Sequence, residues 1–199
     1  MRPKLIIIAG PNGSGKTTFT PQMLQHDWSD GCLFINPDEI AKNDFGDWNS
    51  PAAVMKAVVK AQEMREECLK TGQSMLIESV FSAPDKLDFI LRAKAAGFFI
   101  RFFFIGTDSP EINAARVTRR VLHGGHEVPI AKIISRYSKS IANASTALLT
   151  AARGYVYDNS VTDRNPRILF RARDGEVFKE YSDLRLHLWA QMMCEEVRA

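Results

Sequence analysis

Eight consecutive residues near the start of the chain have the types and spacing of a phosphate-binding loop. They read Gly10-Pro11-Asn12-Gly13-Ser14-Gly15-Lys16-Thr17 and match G-x-x-x-x-G-K-[ST] at every position. Such a loop wraps backbone N–H groups around phosphates, so it needs glycine where a side chain would block the approach. Lys16 would supply an ammonium group to the β- and γ-phosphates, and Thr17 would offer its hydroxyl to Mg²⁺. The loop, continued by Thr18, therefore predicts a site for ATP and Mg²⁺.

The sequence on either side of the loop fits this chemistry. Leu5–Ala9 is a short, mostly β-branched run typical of a strand buried on both faces, and a helix is expected from near Gly15 to about His26. A helix that begins at the loop adds free N–H groups and the positive end of its dipole. A glycine-rich turn would match the pattern by chance in about one chain in a hundred of this length. The position between strand and helix makes chance a still poorer explanation.

Two acidic residues stand where predicted strands end. Asp38 follows the strand Leu33–Ile35, and Glu78 closes the strand Ser74–Ile77, which places both at the edge where open α/β sheets bind ligands. Phosphoryl transfer to a hydroxyl needs a carboxylate that orients the hydroxyl and accepts its proton, so Asp38 is the candidate base. Glu78 is placed to approach a metal through water. The alternatives are a helix N-cap for Asp38 and an exposed strand-end acid for Glu78. Ser79 could contact the acceptor or cap its loop.

Basic residues in the second half of the chain could contact phosphate. Arg116 and Arg120 are spaced i, i+4 on one helix face, where they could neutralise charge on a transferring phosphoryl group. The alternative is a solvated basic face, which is the expectation for the neighbouring Arg119. His126 could bind substrate or cap the Gly-Gly turn before it. Arg136 could reach a phosphate or a carboxylate.

The rest of the chain alternates predicted strands with helices. The further expected elements are helices over Ser50–Thr71, Asp85–Ala96, Ser109–Leu122 and Pro129–Ala152, strands over Phe98–Ile105 and Tyr155–Tyr157, a hairpin over Ile168–Tyr181 turning at Asp174-Gly175, and a final helix over Ser182–Val197. This alternation predicts an α/β, P-loop NTPase three-layer fold. Its sheet should be mostly parallel and five-stranded, with helices on both faces and a C-terminal β-hairpin. We expect one kinase-type domain over residues 1–199, with a lid-like helical segment at about 109–136.

Several segments together resemble the zeta toxin family and its short zeta-like relatives. Besides the loop Ile8–Thr18, they are Ile35–Ala41 (INPDEIA), Ile77–Ser82 (IESVFS) and residues 116–129 (RVTRRVLHGGHEVP), and the similarity continues through Arg136-Tyr137 and the closing hairpin. Zeta toxins are P-loop kinases that use ATP and Mg²⁺ to phosphorylate UDP-N-acetylglucosamine on its sugar 3′-hydroxyl.

The resemblance implies roles for individual residues. The family aspartate that matches Asp38 is the proposed catalytic base, and the glutamate that matches Glu78 belongs to the substrate and active-site network. Arg120, and then Arg116, would be the lid arginines, and His126 lies inside the matching motif. The resemblance also implies a possible helical antitoxin, encoded elsewhere, that would block the ATP site.

Composition indicates an ordinary soluble protein. Hydrophobic residues make up 45% of the 199 positions and charged residues 25%, and a net charge of +3 is too small to indicate nucleic acid or an acidic membrane as a partner. Three widely spaced cysteines predict reduced thiols rather than a disulfide framework or a zinc site. The apolar run at Leu5–Ala9 is too short for a secretion signal or a membrane span, so a cytoplasmic location is expected.

Three functions compete at this stage. The first is a zeta-like kinase of UDP-N-acetylglucosamine, and the second is a metabolic kinase of another nucleotide, sugar or small hydroxyl compound. The third is a nucleotide switch or ATPase that acts through a protein partner. The chain contains no N-K-x-D motif, and its candidate arginines lie in cis, so the switch ranks last.

Overall fold

The computed structural model describes residues 2–46, 49–125 and 127–198, which form seven strands and seven α-helices. The strands lie in one sheet in the order β2-β3-β1-β4-β5-β6-β7. The first five in this order are parallel, and β6 and β7 are antiparallel additions at one edge. This arrangement confirms the predicted α/β fold with five parallel strands and a C-terminal hairpin.

The strands are short, as in most parallel sheets covered by helices. They are β1 Lys4–Ala9, β2 Leu33–Ile35, β3 Met75–Ser79, β4 Phe99–Gly106, β5 Arg153–Asp158, β6 Arg167–Arg173 and β7 Glu176–Glu180. The helices connect successive parallel strands or pack over them. They are α1 Lys16–Leu24, α2 Pro37–Phe45, α3 Pro51–Thr71, α4 Asp85–Ala95, α5 Pro110–Leu122, α6 Ile130–Thr150 and α7 Leu188–Arg198.

The core has two layers because successive side chains of a strand point to opposite faces of the sheet. Leu5 and Ile7 of β1 belong to the larger cluster, which buries residues of α3, α4, α6 and α7. Ile6 and Ile8 belong to the smaller cluster on the other face, where Phe19 of α1 packs. The central strand β1 is therefore covered on both sides, and the loop at its carboxyl end is held by a rigid support.

Two predicted elements differ from the structure. The predicted α1 ended near His26, but the helix ends at Leu24 and a 3₁₀ turn follows at Asp27–Ser29, capped by the His26 side chain. The predicted single helix over Ser182–Val197 was wrong. It is a 3₁₀ turn, Ser182–Leu186, then His187 with extended backbone (φ −125°, ψ 94°), then α7. The side chain of His187 enters a buried polar cluster, which an uninterrupted helix would not allow.

Among the described helices, we find none whose length and apolarity would suffice to cross a lipid bilayer.

Candidate active site

The phosphate loop connects β1 to α1 and has the backbone shape that its glycines permit. Gly13 and Gly15 have φ values of +78° and +99°, in the left-handed region. A Cβ atom at Gly13 would lie 2.5 Å from the backbone oxygen of Asn113, and one at Gly15 would lie 2.2 Å from Nδ2 of Asn159. Both positions therefore strain any larger residue, and at Gly13 the backbone of Asn113 also leaves no space for one. The N–H of Thr18 already donates to the carbonyl of Gly15 at 3.1 Å. The N–H groups that open an α-helix lack acceptors within the helix, which suits the start of α1 to an anion.

Lys16 is the first residue of α1, and its side chain is buried within the loop. Its Nζ donates to the carbonyl oxygen of Pro11 at 2.9 Å. Burial lowers the pKa of the ammonium from its ordinary value of 10.5. The carboxylates of Glu78 and Asp38 oppose this shift, and Arg120 adds to it. The electrostatic environment of Lys16 thus brings together four of the residues that the sequence singled out.

Glu78 stands at the end of β3 and is held by two hydroxyl groups of α1. Thr17 Oγ1 donates to one carboxylate oxygen at 2.9 Å, and Thr20 Oγ1 donates to the other at 2.7 Å. The hydroxyl oxygen of Thr17 keeps its lone pairs while its proton goes to Glu78, so the two side chains together present oxygen ligands of the kind that Mg²⁺ prefers. The geometry favours a carboxylate in the metal region over an unengaged strand-end acid.

Asp38 lies in the first turn of α2, on the wall of the cleft above the phosphate loop. The helix is capped by Asn36, whose side-chain oxygen accepts from the backbone N–H of Asp38 at 2.9 Å. The alternative role of Asp38 as the N-cap was therefore wrong. Its carboxylate is exposed and lines the cleft at the N-terminal end of α2.

The segment after β3 forms the next part of the cleft wall and is tightly tied to α6. Phe81 has φ +61°, which is strained for a bulky residue, and its ring is buried edge-on against Phe102. The Ser79 hydroxyl accepts from the N–H of Phe81 at 3.1 Å, so the predicted capping alternative for Ser79 is present alongside its place in the cleft. Ser140 donates to the carbonyl of Val80, and Asn143 Nδ2 donates to that of Phe81.

Arg116 and Arg120, the predicted lid arginines, lie on α5 and differ in their contacts. Arg116 is half-buried, and its guanidinium donates to the carbonyls of Asn159 (2.7 Å) and Ser160 (3.3 Å). Arg120 is exposed and lines the cleft, close enough to affect the pKa of Lys16. Both therefore border the site, with Arg116 turned to the loop after β5. His126, a predicted substrate residue, lies outside the described residues.

The cleft lining also contains basic groups on α3, α4 and α6. Arg136 and Arg65 both line the cleft and are half-buried. Within the described part of the chain, neither guanidinium has a hydrogen bond or an ion pair, although Arg65 lies over the ring of Phe89 at 5.6 Å. Lys86, which also lines the cleft, is paired with Asp85. Burial lowers the pKa of Arg65, which the carboxylate of Asp85 opposes.

The cleft has a volume of about 1310 Å³. Sites for one small ligand usually occupy about 300–1,000 Å³. The volume of this cleft exceeds that range, so the space suits two substrates bound together.

Sequence analysis missed four residues of this site. Thr20 could have been found, because it lies one turn after Lys16 on the helix that begins at the loop. Asn159 follows β5 directly, at the edge of the sheet where ligands bind, and that position is itself a signal. Arg65 and Lys86 lie on helix surfaces far away in sequence, and no motif marks them.

The parallel sheet, the phosphate loop and the acidic groups at the strand ends define a P-loop kinase fold. A family model described as "Zeta toxin" matches residues 1–168, so the chain belongs to this family. A relative described as an uncharacterized protein of Haemophilus influenzae is 32% identical over 129 residues, which are 63% of this chain and 86% of the relative.

Solved structures share the fold at lower identity. A chain of the AvrRxo1-ORF1:ORF2 complex, crystallised with ATP, has 18% identity and a TM-score of 0.69 over 93% of this chain. This chain spans 63% of that protein's length. The PezAT toxin-antitoxin system of Streptococcus pneumoniae contains a chain with 15% identity and a TM-score of 0.63, with coverage of 98% of this chain and 84% of that one. Family and fold together support an ATP-dependent kinase.

Proposed function

We propose that the protein transfers the γ-phosphate of ATP to a sugar hydroxyl of UDP-N-acetylglucosamine, the reaction of the zeta toxin family. The observation that carries the proposal is that one cleft is lined by the phosphate loop, by the carboxylate of Asp38 and by the guanidinium groups of Arg65 and Arg136. Family membership supports the choice of acceptor.

The phosphate loop supplies the binding of ATP. Lys16 would exchange its bond to the Pro11 carbonyl for phosphate oxygens, and the N–H groups at the start of α1 would donate to the same phosphates. Ser14 fits this role, because its buried Oγ has no hydrogen-bond partner among the described residues. Thr17 and Glu78 would hold Mg²⁺, and the ion would neutralise part of the phosphate charge. Arg120 would stabilise charge on the transferring group.

Asp38 would act on the acceptor. Its carboxylate orients the attacking hydroxyl and takes its proton as the hydroxyl oxygen bonds to phosphorus and the bond from phosphorus to ADP breaks. Its exposure to the cleft and its place at the start of α2 suit a base that must be ionised before transfer.

Arg65 and Arg136 are the groups that would recognise a diphosphate on the acceptor. Neither guanidinium forms an ion pair within the described part of the chain, although Asp85 and Glu66 lie near enough to Arg65 to favour its charged form, so both can receive the negative charge of a ligand. Arg136 lies one turn before Ser140, which contacts Val80, so it belongs to the helix face that borders the acceptor wall. Its predicted contact with phosphate is thus part of the proposal.

The test is incubation with ATP, Mg²⁺ and UDP-N-acetylglucosamine, followed by mass spectrometry of the products. We expect a product heavier by one phosphoryl group for the wild type and none for Lys16→Ala or Asp38→Asn. Formation of ADP at the same rate with and without the sugar nucleotide, and without a phosphorylated product, would reject the acceptor. A panel of other nucleotides and sugars would then test a metabolic kinase.

The family also suggests an inhibitory protein partner. The AvrRxo1-ORF1 structure contains a second protein, ORF2. The PezAT structure belongs to a toxin-antitoxin system. We propose that an antitoxin would cover the ATP end of this cleft. Growth arrest on expression, relieved by Asp38→Asn, would support a toxic activity for this chain, whereas equal growth of both strains would contradict it.

A further inference from the structure

We propose that His187 is a positioning residue for the nucleotide-binding wall of the cleft, acting through Asp158 on the loop that covers the phosphate-binding glycines. The proposal rests on the proposed ATP function for its effect on affinity. His187 precedes α7 and lies beyond residues 1–168, which the family model matches. It is 4% exposed, so its contacts are within the protein.

The imidazole of His187 lies between two carboxylates at the ends of neighbouring strands. Its Nδ1 is 2.7 Å from Oδ1 of Asp108, which follows β4, and its Nε2 is 3.6 Å from Oδ2 of Asp158, the last residue of β5. Arg167 lies 3.5 Å from the same oxygen of Asp158 and pairs with Asp183 at 2.8 Å. The ring thus connects the C-terminal segment to the ligand-binding edge of the sheet.

Asp158 passes this connection to the phosphate loop. Its Oδ1 accepts from the backbone N–H (3.0 Å) and the hydroxyl (2.5 Å) of Ser160, which shapes the turn after β5. The turn places Asn159 so that its Nδ2 donates to the carbonyl of Ser14 at 2.8 Å, while its N–H donates to Gly106 at 2.9 Å. Asn159 lines the cleft directly above Gly15, so its position determines the shape of the wall beside the phosphate loop.

A second contact from the same segment secures Asp108. Trp189 Nε1 donates to the carboxylate oxygen that faces His187, at 3.2 Å. The Trp189 ring packs so closely on Gly106 that a Cβ atom there would lie 2.3 Å from it. Since Gly106 accepts the bond from Asn159, the C-terminal segment supports both ends of the turn.

A metal ion is a poorer explanation of this cluster. Asp108, Asp158 and His187 are of ligand type, with atoms within 4.8 Å of one another. However, Nδ1 faces Asp108 and Nε2 faces Asp158, so a single ion could bind only one of the two ring nitrogens. The Arg167 guanidinium also stands beside the Asp158 oxygen that such an ion would need. Buried Nε2, which has no hydrogen-bond partner in the described part of the chain, is instead directed at Asp158.

The test compares His187→Ala with Met193→Ala, a buried α7 residue outside the polar cluster. ATP binding in the presence of Mg²⁺ is measured by calorimetry, and hydrogen exchange is measured at the N–H groups of Asn159 and Ser160. We expect His187→Ala to raise the ATP Kd about tenfold and to speed exchange at both groups. Met193→Ala should lower Tm and leave both quantities within about twofold of the wild type. His187→Gln, which keeps an N–H donor, should be intermediate.

The outcomes are distinguishable. If both alanine variants change Kd and exchange equally, or if His187→Ala leaves exchange at Asn159 unchanged, the positioning role is rejected. In the kinase assay, a lower kcat at unchanged KM for ATP would also reject it, because positioning of the binding wall predicts a change in KM. If the wild type binds no ATP, the proposed function fails, while the exchange comparison still decides whether His187 holds the turn.

Discussion

Replacing Thr20 by valine tests whether the orientation of Glu78 matters to the reaction. Valine keeps the size and branching of threonine but removes the hydroxyl that donates to Glu78 at 2.7 Å. The loop lysine and Thr17 are untouched. A hydrogen bond to a charged group contributes about 1.5–3 kcal/mol. If that energy keeps Glu78 in place for Mg²⁺ and ATP, kcat/KM for ATP should fall by about 10- to 150-fold.

The matched control is Thr71→Val at the end of α3. The hydroxyl oxygens of Thr71 and Thr20 each lie near the carbonyl oxygen four residues earlier in their helices, at 2.8 and 3.0 Å, but Thr71 is exposed and is not among the cleft residues. The control should therefore leave kcat/KM within about twofold of the wild type.

The assay measures initial rates over a range of ATP and Mg²⁺ concentrations. Thermal unfolding of each variant shows whether it folds normally. A Thr20→Val variant that folds normally and keeps kcat/KM within twofold would refute the reasoning. It would show that the bond from Thr17 alone holds Glu78, or that Glu78 has no part in the reaction. A parallel Glu78→Gln variant separates these cases, because only the second predicts that it is active.

Three further predictions concern other residues. Arg65→Ala should raise KM for the acceptor about 10- to 100-fold with kcat nearly unchanged, while Lys70→Ala on the same helix should not; equal KM values in steady-state kinetics would contradict the acceptor role. Lys16→Met should be inactive yet more stable than the wild type at pH 7, because burial lowers the pKa of Lys16 and the folded state binds its proton less well than the unfolded state. The difference in unfolding free energy between Lys16→Met and the wild type should shrink as pH rises towards 10.5. Denaturant titrations that find the same difference at every pH would contradict this prediction. Burial raises the pKa of the Cys194 thiol from 9.0 to about 11, so iodoacetamide at pH 8 should modify it about a hundredfold more slowly in the folded than in the unfolded chain, and equal rates by peptide mass spectrometry would refute this.

Local chemistry explains which parts of the site were predictable. The phosphate loop requires glycines at fixed positions, so its sequence alone located Lys16 and Thr17. Asp38 and Glu78 were found because they follow strands at the ligand-binding edge of a parallel sheet. The five parallel strands and the hairpin were also read correctly, since apolar runs and turn residues mark them directly.

The parts that could not be predicted depend on contacts across the chain. His187 lies inside the final helix that was predicted over Ser182–Val197, and its contacts with the strand-end carboxylates of Asp108 and Asp158 join segments far apart in the sequence. Arg65 lies on a long helix with several exposed charges, and its place in the cleft lining is visible only in three dimensions. Asn36 rather than Asp38 caps α2, because either side chain could serve and the backbone geometry decides.

The contact between Asn159 and Ser14 also has a consequence for synthesis of the protein. It joins residues that are 145 positions apart, and the bond from Asn143 to Phe81 joins residues 62 apart. A ribosome makes the phosphate loop before Asn159, and Phe81 before Asn143. A nascent chain therefore carries the loop before its cleft is complete, and the proposed activity requires that Asn159 and Asn143 have folded back onto the segments made before them.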